Sequence, residues 1–423
     1  MTTHDTEAAH HGYATDLVPP DQQGSGWKVF FIVAGSLCGL PCFILAAQIF
    51  GSLGFRQGVL AVLLGGAISG VLGALTSATG SRSRMGLALL ADRTFGPLGA
   101  RAVKLVIALS LIGWFGVNIG VLGTTGARAL SQISGHTVAA LAVGLPVCVL
   151  IAAITIAGAT GLEKLGKVLV PCTLIILGLS FYLVSDRITE VLGQPGSGTL
   201  SFGSAVSAMV GTYVVGIVIQ PDYGRFVQVP AGAAAGSGLA LGLFYPALMI
   251  ISAFASLVTG APELISAMII LGVGIPALVV LLLGAWIDSS ACLYSASLSL
   301  ANQFPRLNFI GIVLGITAIG VVLVVLGADT AFIPFLIALS VCLPPLASVM
   351  VLSAWLAGGE TPAGAGQART AAVAWICGAA VGLTSNYGIL RLSHVPSIDA
   401  ILAATAVFMA LRLASTRSQL ARG

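Results

Sequence analysis

One carboxyl group lies inside a long apolar run of the sequence. Asp288 follows an apolar stretch that ends at Trp286, and apolar residues continue beyond it to Leu300. A carboxylate at that depth is costly unless it is paired, hydrated or protonated, and such residues usually line a ligand or proton pathway. A neutral acid bonded to nearby backbone is the purely structural alternative.

Two aromatic residues lie inside other apolar runs. Trp114 stands in the segment Gly113-Trp114-Phe115-Gly116, away from the water interface where most membrane tryptophans are found. Tyr213 lies within a later run. Flat rings of this kind can stack on a planar ligand, and ordinary packing is the alternative.

The residues that usually bind metals or form disulfides are placed unfavourably for either task. All seven Cys fall in apolar runs without a Cys-x-x-Cys pair, so we expect them to pack as small apolar residues. All five His lie in predicted tails or loops. The sequence also has no second acid at the depth of Asp288. It therefore predicts neither a metal site nor a cofactor, and it gives no indication of an enzyme.

The composition shows whether the segments that carry these residues face water or lipid. Only 8% of the 423 residues are charged, 57% are hydrophobic, and the mean hydropathy is +1.05. A water-facing surface needs about a quarter of its residues charged, so most of this chain must face lipid. Because the apolar runs are continuous rather than alternating, they predict membrane-spanning helices. Twelve runs are long enough to cross a bilayer: 28–52, 57–79, 100–126, 137–158, 165–185, 201–220, 234–259, 275–300, 308–327, 331–356, 371–388 and 398–414.

The distribution of Lys and Arg predicts the orientation. With a cytoplasmic N-terminus, 14 of the 18 basic residues lie inside and 4 lie outside, namely Arg56, Arg128, Arg187 and Arg391. This bias favours an even number of spans with both termini in the cytoplasm. The net charge of +4 then reflects topology, so we expect no nucleic-acid partner.

The spacing of the runs divides the chain into segments. We expect a cytoplasmic tail at 1–26 without a secretory signal, and a ten-helix core at 27–356. A Gly/Ala/Pro-rich linker at 357–370, two accessory spans at 371–414 and a short tail at 415–423 follow.

Glycine and proline interrupt the spans that open each half of the core. The first contains Gly35, Gly39 and Pro41, and the sixth contains Gly211, Gly216 and Gln220-Pro221. Discontinuous helices at corresponding positions are typical of transporters built from two inverted repeats, and they expose backbone groups near the midplane. The pattern predicts two five-helix repeats with a break in both spans.

Several segments carry a family resemblance over nearly the whole chain. They are YATDLVPP at 13–20, Phe95-Gly96, IGWFGV at 112–117, DYGRF at 222–226, LYSASLSLAN at 293–302 and Pro344-Pro345. In their order and spacing, they resemble the nucleobase:cation symporter-1 family, and most closely its cytosine and purine permease branch.

The resemblance implies an all-helical, LeuT-like fold of ten core helices plus two, in a secondary transporter that works by alternating access. It implies a planar base held between two aromatics from the third and sixth spans, at the places of Trp114 and Tyr213. Polar groups of the eighth span, here Asp288 and Ser289, would then bind the edge of the base.

This chain departs from the family pattern at that site. Leu111 and Val215 stand where cytosine permeases have an amide and a hydroxyl, and Asp288-Ser289 replaces a pair that is typically Thr-Asn. Since hydrogen-bonding sites discriminate sharply among ligands, we expect a planar heterocycle such as cytosine or a purine without assigning the compound.

The sequence leaves two candidates for the coupling ion, sodium and the proton. Sodium-coupled relatives use carbonyls of the first span, which Gly35 and Cys38 could supply here. They also use side-chain oxygens of the eighth span, where this chain has Leu282-Leu283-Gly284. Because a hard cation needs several oxygen ligands, we favour proton coupling through Asp288.

Other kinds of membrane protein remain as alternatives. An amino-acid or other small-solute symporter of the same fold could use Asp288 to bind an ammonium group. A channel would be expected to show rings of like charge or a repeated filter motif. For the permease we expect the bacterial inner (plasma) membrane and no obligatory protein partner.

Overall fold

A computed structural model describes residues 17–157, 162–304, 306–328, 330–356, 364–390 and 392–420. The described chain is helical almost throughout, with two isolated β-bridges. Its α-helices are α1 Trp27–Leu37, α2 Leu40–Ser83, α3 Leu87–Ser134, α4 Ala140–Ala157, α5 Leu162–Val184, α6 Ile188–Val191, α7 Phe202–Gly224, α8 Pro230–Leu239, α9 Tyr245–Thr259, α10 Leu264–Ile270, α11 Gly274–Gln303, α12 Phe309–Val325, α13 Phe332–Leu356, α14 Ala365–Asn386 and α15 Pro396–Leu420.

The helices have the length and composition of membrane spans. Within the described ranges, nine helical stretches are long and apolar enough to cross a bilayer, and three shorter apolar helices accompany them. Large apolar side chains such as Phe31, Leu109 and Ile376 point outward, each more than 60% exposed. An apolar outer surface of this kind is stable only against lipid.

Two glycines divide the longest helices into separate passes. Gly54 has φ +74° inside α2 and Gly96 has φ +66° inside α3. This left-handed conformation costs other residues energy through their Cβ, so glycine allows the sharp change of direction at both points. The division falls between the first and second predicted spans and just before the third. With these breaks, the helices are consistent with the twelve predicted spans.

The first span is broken as predicted. Helix α1 ends at Leu37, Cys38 and Gly39 leave helical geometry, and α2 starts at Leu40 with Pro41 in its first turn. Proline at a helix start loses no hydrogen bond, because its missing N–H would have no partner there.

The predicted break in the sixth span was wrong. Helix α7 runs without interruption from Phe202 to Gly224 and contains Gly211, Gly216 and Pro221. Gly211 allows close packing instead, because an added Cβ would collide with the carbonyl oxygen of Leu336. Glycine in a membrane helix can allow two backbones to approach closely or can mark a helix break, and the sequence alone does not distinguish the two roles.

The central helices pack in two main pairs. Helix α2 has its most extensive contacts with α7, and α11 packs against α3. These pairs bring the break between α1 and α2 next to the middle of α7, α3 and α11. Helices α8 and α9 are joined by a π-helical turn at Ala240–Phe244 and pack against α2.

The described part of the N-terminal tail, residues 17–26, is bonded to loops of the core. Gly24 exchanges backbone hydrogen bonds with the loop after α7, donating to Phe226 O at 2.7 Å and accepting from Gln228 N at 3.0 Å. Helices α14 and α15 pack on each other and on α13. Helix α14 already starts within the predicted linker, at Ala365, whereas 357–363 lie outside the described residues.

Candidate functional site

A cavity of about 190 Å³ lies where α1, α2, α3, α7 and α11 meet. Its lining residues are Ser36, Gly39, Pro41, Cys42, Leu111, Trp114, Thr212, Tyr213, Val215, Gly216, Ile219, Tyr223, Asp288, Ala291, Cys292 and Ser295. The structure thus brings together Trp114, Tyr213 and Asp288, which are far apart in the sequence.

Trp114 is held in one wall by aromatic neighbours. Its ring meets those of Phe332 and Phe335 on α13 at interplanar angles of 74° and 79°, with centroids 6.4 and 5.4 Å away. These are edge-to-face arrangements, which aromatic pairs favour. The indole is 6% exposed, so the contacts fix its orientation at the cavity.

Tyr213 is tied to the broken first span. Its hydroxyl lies 2.9 Å from Ser36 Oγ, at the end of α1. Ser36 Oγ is also 2.9 Å from Val33 O and 3.1 Å from Ile32 O, at the end of the same helix. The bond between the two hydroxyls, in which either can donate, joins α1 to α7 beside the cavity.

Asp288 is anchored from α3. Asn118 Nδ2 donates to Asp288 Oδ2 at 2.7 Å. Asn118 is 1% exposed and its Oδ1 has no hydrogen-bond partner in the described structure. Cys42 and Cys292 also line the cavity beside this pair. The carboxyl group of Asp288 thus has one donor from the protein and lines the cavity.

Three of the predicted site residues do not line the cavity. Ser289 is fully buried and its hydroxyl donates to Ala285 O at 2.7 Å, inside its own helix. Gly35 and Cys38 flank the break between α1 and α2, where Gly35 O accepts from Cys38 N at 3.3 Å. Their neighbours Ser36 and Gly39 line the cavity instead.

The cavity extends from the middle of the helices toward one side. On α7 it is lined from Thr212 to Tyr223, about 16 Å along the helix axis, and on α11 from Asp288 to Ser295. In both cases the direction is toward the helix end that the Lys and Arg distribution predicts to be cytoplasmic.

Among the lining and supporting residues that the sequence analysis missed, four stand close to a recognised feature of the sequence. Asn118 lies four residues after Trp114, and Ser295 seven after Asp288, so each shares a helix face with its partner. Tyr223 belongs to the DYGRF segment. Ser36 precedes the predicted break, but its bond to Tyr213 depends on tertiary packing.

The described residues contain no group of three or more His, Cys, Asp or Glu placed to hold a metal ion.

Comparisons by sequence assign the chain to a family of permeases. The family described as permease for cytosine/purines, uracil, thiamine and allantoin matches residues 18–362. Cytosine permease of Escherichia coli strain K12 is 25% identical over 330 residues, which cover 74% of this chain and 75% of that protein.

Solved structures show the same fold. The inward-facing conformation of Mhp1 is similar with a TM-score of 0.77 at 19% identity, covering 96% of this chain and 95% of that one. Mhp1, a nucleobase-cation-symport-1 family transporter, in a closed conformation with bromovinylhydantoin bound gives 0.72 at 19% identity, with 96% of each chain covered. A Na⁺-coupled sialic acid symporter gives 0.63 at 12% identity, covering 93% and 90%.

These matches confirm the predicted LeuT-like fold. The chain belongs to the family of permeases for cytosine/purines, uracil, thiamine and allantoin, the nucleobase:cation symporters, and is a membrane transporter rather than an enzyme.

Proposed function

We propose that this permease imports a nucleobase or a related planar heterocycle, such as cytosine or a purine, by alternating access. The observation that carries the proposal is the meeting of Trp114, Tyr213 and Asp288 in one cavity between α3, α7 and α11. Two aromatic walls suit a flat ring, and a single carboxyl suits its polar edge. The relatives named cytosine permease and the neighbour with a bound hydantoin support the same ligand class.

We further propose that transport is coupled to a cation gradient, with the proton as the ion and Asp288 as its carrier. Asp288 lies at the cavity and has one donor, Asn118, so it can exchange a proton with water from the cavity side. Sodium bound by carbonyls around Gly35 and Cys38 is the second candidate for the ion. The sodium-coupled neighbour of the same fold supports cation coupling in general.

Both termini are proposed to lie in the cytoplasm, in a plasma membrane. The distribution of Lys and Arg supports this orientation. In this orientation, the cavity opens toward the cytoplasm in the present conformation.

The experiment is ligand-dependent thermal stabilisation of the purified protein. Cytosine, uracil, adenine, guanine, hypoxanthine, hydantoin, allantoin and a set of amino acids are tested with and without sodium at two pH values. A ligand that binds only the folded state raises the unfolding temperature. We expect a heterocycle to stabilise the wild type and to lose this effect in Trp114→Ala. Stabilisation by amino acids alone would replace the proposal with an amino-acid symporter of the same fold.

Coupling is tested with the same protein in vesicles carrying a proton gradient or a sodium gradient. We expect accumulation driven by the proton gradient and its loss in Asp288→Asn. If Asp288→Asn still accumulates substrate against a gradient, Asp288 does not carry the coupling ion.

A further inference from the structure

We propose that the cavity selects heterocycles whose edge carries adjacent N–H donors, of the amidine or guanidine type, and disfavours edges made of carbonyl oxygens. The proposal rests on the proposed function, because it concerns the ligand of the same cavity. It follows from which hydrogen-bonding atoms the protein leaves free for a ligand.

The hydroxyl groups in the middle of the cavity already form hydrogen bonds within the protein. Ser36 Oγ lies 2.9 Å from Val33 O and 3.1 Å from Ile32 O, and it shares a hydrogen bond with the hydroxyl of Tyr213. Thr212 Oγ1 donates to Ala208 O at 2.9 Å. Protein acceptors therefore compete with a ligand for the protons of these three residues, whereas their lone pairs can accept from a ligand.

The carboxyl group adds further acceptors. Asn118 Nδ2 points at Asp288 Oδ2, and the opposite orientation of the amide would place two acceptor oxygens 2.7 Å apart. The amide is therefore a donor to the Asp288 carboxyl group. In the described structure Asp288 Oδ1 has no donor from the protein, so it is available at the cavity.

The lining supplies no charged donor that would offset the carboxyl group. Leu111, Val215 and Ile219 are apolar at the cavity. The indole N–H of Trp114 belongs to the stacking wall, and the hydroxyls of Tyr223 and Ser295 lie at the inner end. None of the sixteen lining residues is Lys, Arg or His, so an anionic ligand also lacks a counter-charge.

An edge with two adjacent N–H groups satisfies these acceptors, whereas a carbonyl oxygen would face lone pairs. A buried polar group of the ligand that finds no hydrogen-bond partner in the protein costs roughly 1–3 kcal/mol, which is about 5- to 150-fold in Kd. Sites that bind donors therefore discriminate strongly against analogues that lack them.

The test compares ligands that differ by one group. Kd values of the purified protein are measured by calorimetry for isocytosine against uracil and for guanine against xanthine, at one mildly alkaline pH that keeps carboxyls ionised. We expect the amino compound of each pair to bind at least about tenfold more tightly. Equal or tighter binding of uracil and xanthine would overturn the inference while leaving the proposed function intact. Failure of every heterocycle to bind would instead contradict the proposed function.

Variants assign the discrimination to residues. Asp288→Asn offers both a donor and an acceptor, so the ratio within each pair should fall to about threefold or less. The matched control Asp186→Asn, in the exposed turn before α6, should keep the wild-type ratio. Leu111→Gln adds an amide donor to the wall and should strengthen uracil binding, which keeps the test open if Asp288→Asn does not fold. An unchanged ratio in both Asp288→Asn and Leu111→Gln would refute the assignment.

Discussion

At the scale of single residues, the cavity is defined by side chains whose neighbours fix their orientation. Trp114 is held by Phe332 and Phe335, Tyr213 by Ser36, and Asp288 by Asn118. Each of these supports comes from a different helix than the residue it holds. Loss of a support should therefore change ligand affinity through geometry as well as through direct contact.

Replacing the stacking tryptophan should weaken ligand binding. Stacking of a base on an aromatic ring contributes roughly 1–3 kcal/mol, so Trp114→Ala should raise Kd about 5- to 150-fold and Trp114→Phe should retain most of the affinity. The measurement is calorimetric titration with the best heterocycle. Trp27→Ala, at a side chain that is 60% exposed on α1, is the control and should bind normally. Equal affinity of Trp114→Ala and wild type would show that the ring only packs.

The bond between Ser36 and Tyr213 should appear as coupling between two variants. Ser36→Ala and Tyr213→Phe each remove the same hydrogen bond, so the double variant should cost less than the sum of the singles. We expect a coupling free energy of roughly 0.5–1.5 kcal/mol in ligand binding. The four Kd values of the double-mutant cycle measure it. Additive effects would mean that the bond is not formed in the ligand-bound state.

At the scale of elements, breaks and loop anchors position the helices around the cavity. The break at Cys38-Gly39 places Ser36 at the cavity, and the turn at Gly54 separates the first two spans. On the opposite side of the membrane from the tail, Glu263 is 3% exposed and joins the start of α10 to the end of α3. It accepts from Thr125 at 2.7 Å, from Arg128 at 3.0 Å and from Ser266 at 3.0 Å.

The two helix-dividing glycines should differ in their tolerance of alanine. Both have positive φ, which costs an alanine roughly 1–2 kcal/mol. At Gly54 a Cβ would also lie 2.8 Å from Gln194 O, whereas at Gly96 the nearest atom is 3.4 Å away. Gly54→Ala should therefore lower the unfolding temperature more than Gly96→Ala, as measured in detergent without ligand. The reverse order would contradict the packing at Gly54.

The anchor at Glu263 should depend more on the acid than on its basic partner. Glu263→Ala removes three hydrogen bonds at once. Arg128→Ala removes only one of them, at a side chain that is about half exposed. Hydrogen bonds to a charged group contribute roughly 1.5–3 kcal/mol each, less where water competes. Thermal unfolding should rank the variants wild type, Arg128→Ala, Glu263→Ala in order of falling stability. Equal losses would indicate that the ion pair alone holds α10.

At the scale of the whole molecule, the two helix pairs, α2 with α7 and α3 with α11, enclose the cavity near the middle of their helices. The cavity is lined toward only one side, as alternating access requires of a single conformation. Its direction relative to the cell depends on the orientation proposed from the basic residues.

That orientation can be measured by labelling. Asp186→Cys and Arg306→Cys lie in exposed loops on opposite sides of the proposed topology. An impermeant thiol reagent should label Asp186→Cys in intact cells and Arg306→Cys only after permeabilisation. The wild type, whose seven cysteines are buried or partly buried, is the control for background labelling. The opposite pattern would invert the proposed topology.

The amino-acid sequence was enough to predict that most of this protein faces lipid. It also predicted the number and order of the apolar runs and three residues that line the cavity. Hydropathy and charge report directly on the surrounding medium, so lipid-spanning helices follow from composition alone. Asp288 and Trp114 were recognisable because a polar or interfacial residue inside an apolar run is costly or unusual. These are local properties that need no knowledge of neighbours.

The packing of the helices determines which side chains meet and which of their hydrogen-bonding atoms remain without a protein partner. Gly211 in α7 packs against Leu336 rather than breaking the helix, and Ser289 turns into its own helix rather than the cavity. The pairs Ser36 with Tyr213 and Asn118 with Asp288 join residues 177 and 170 positions apart. Helix periodicity gives the face of a residue but not the helix opposite it, because packing between helices is set by the whole bundle.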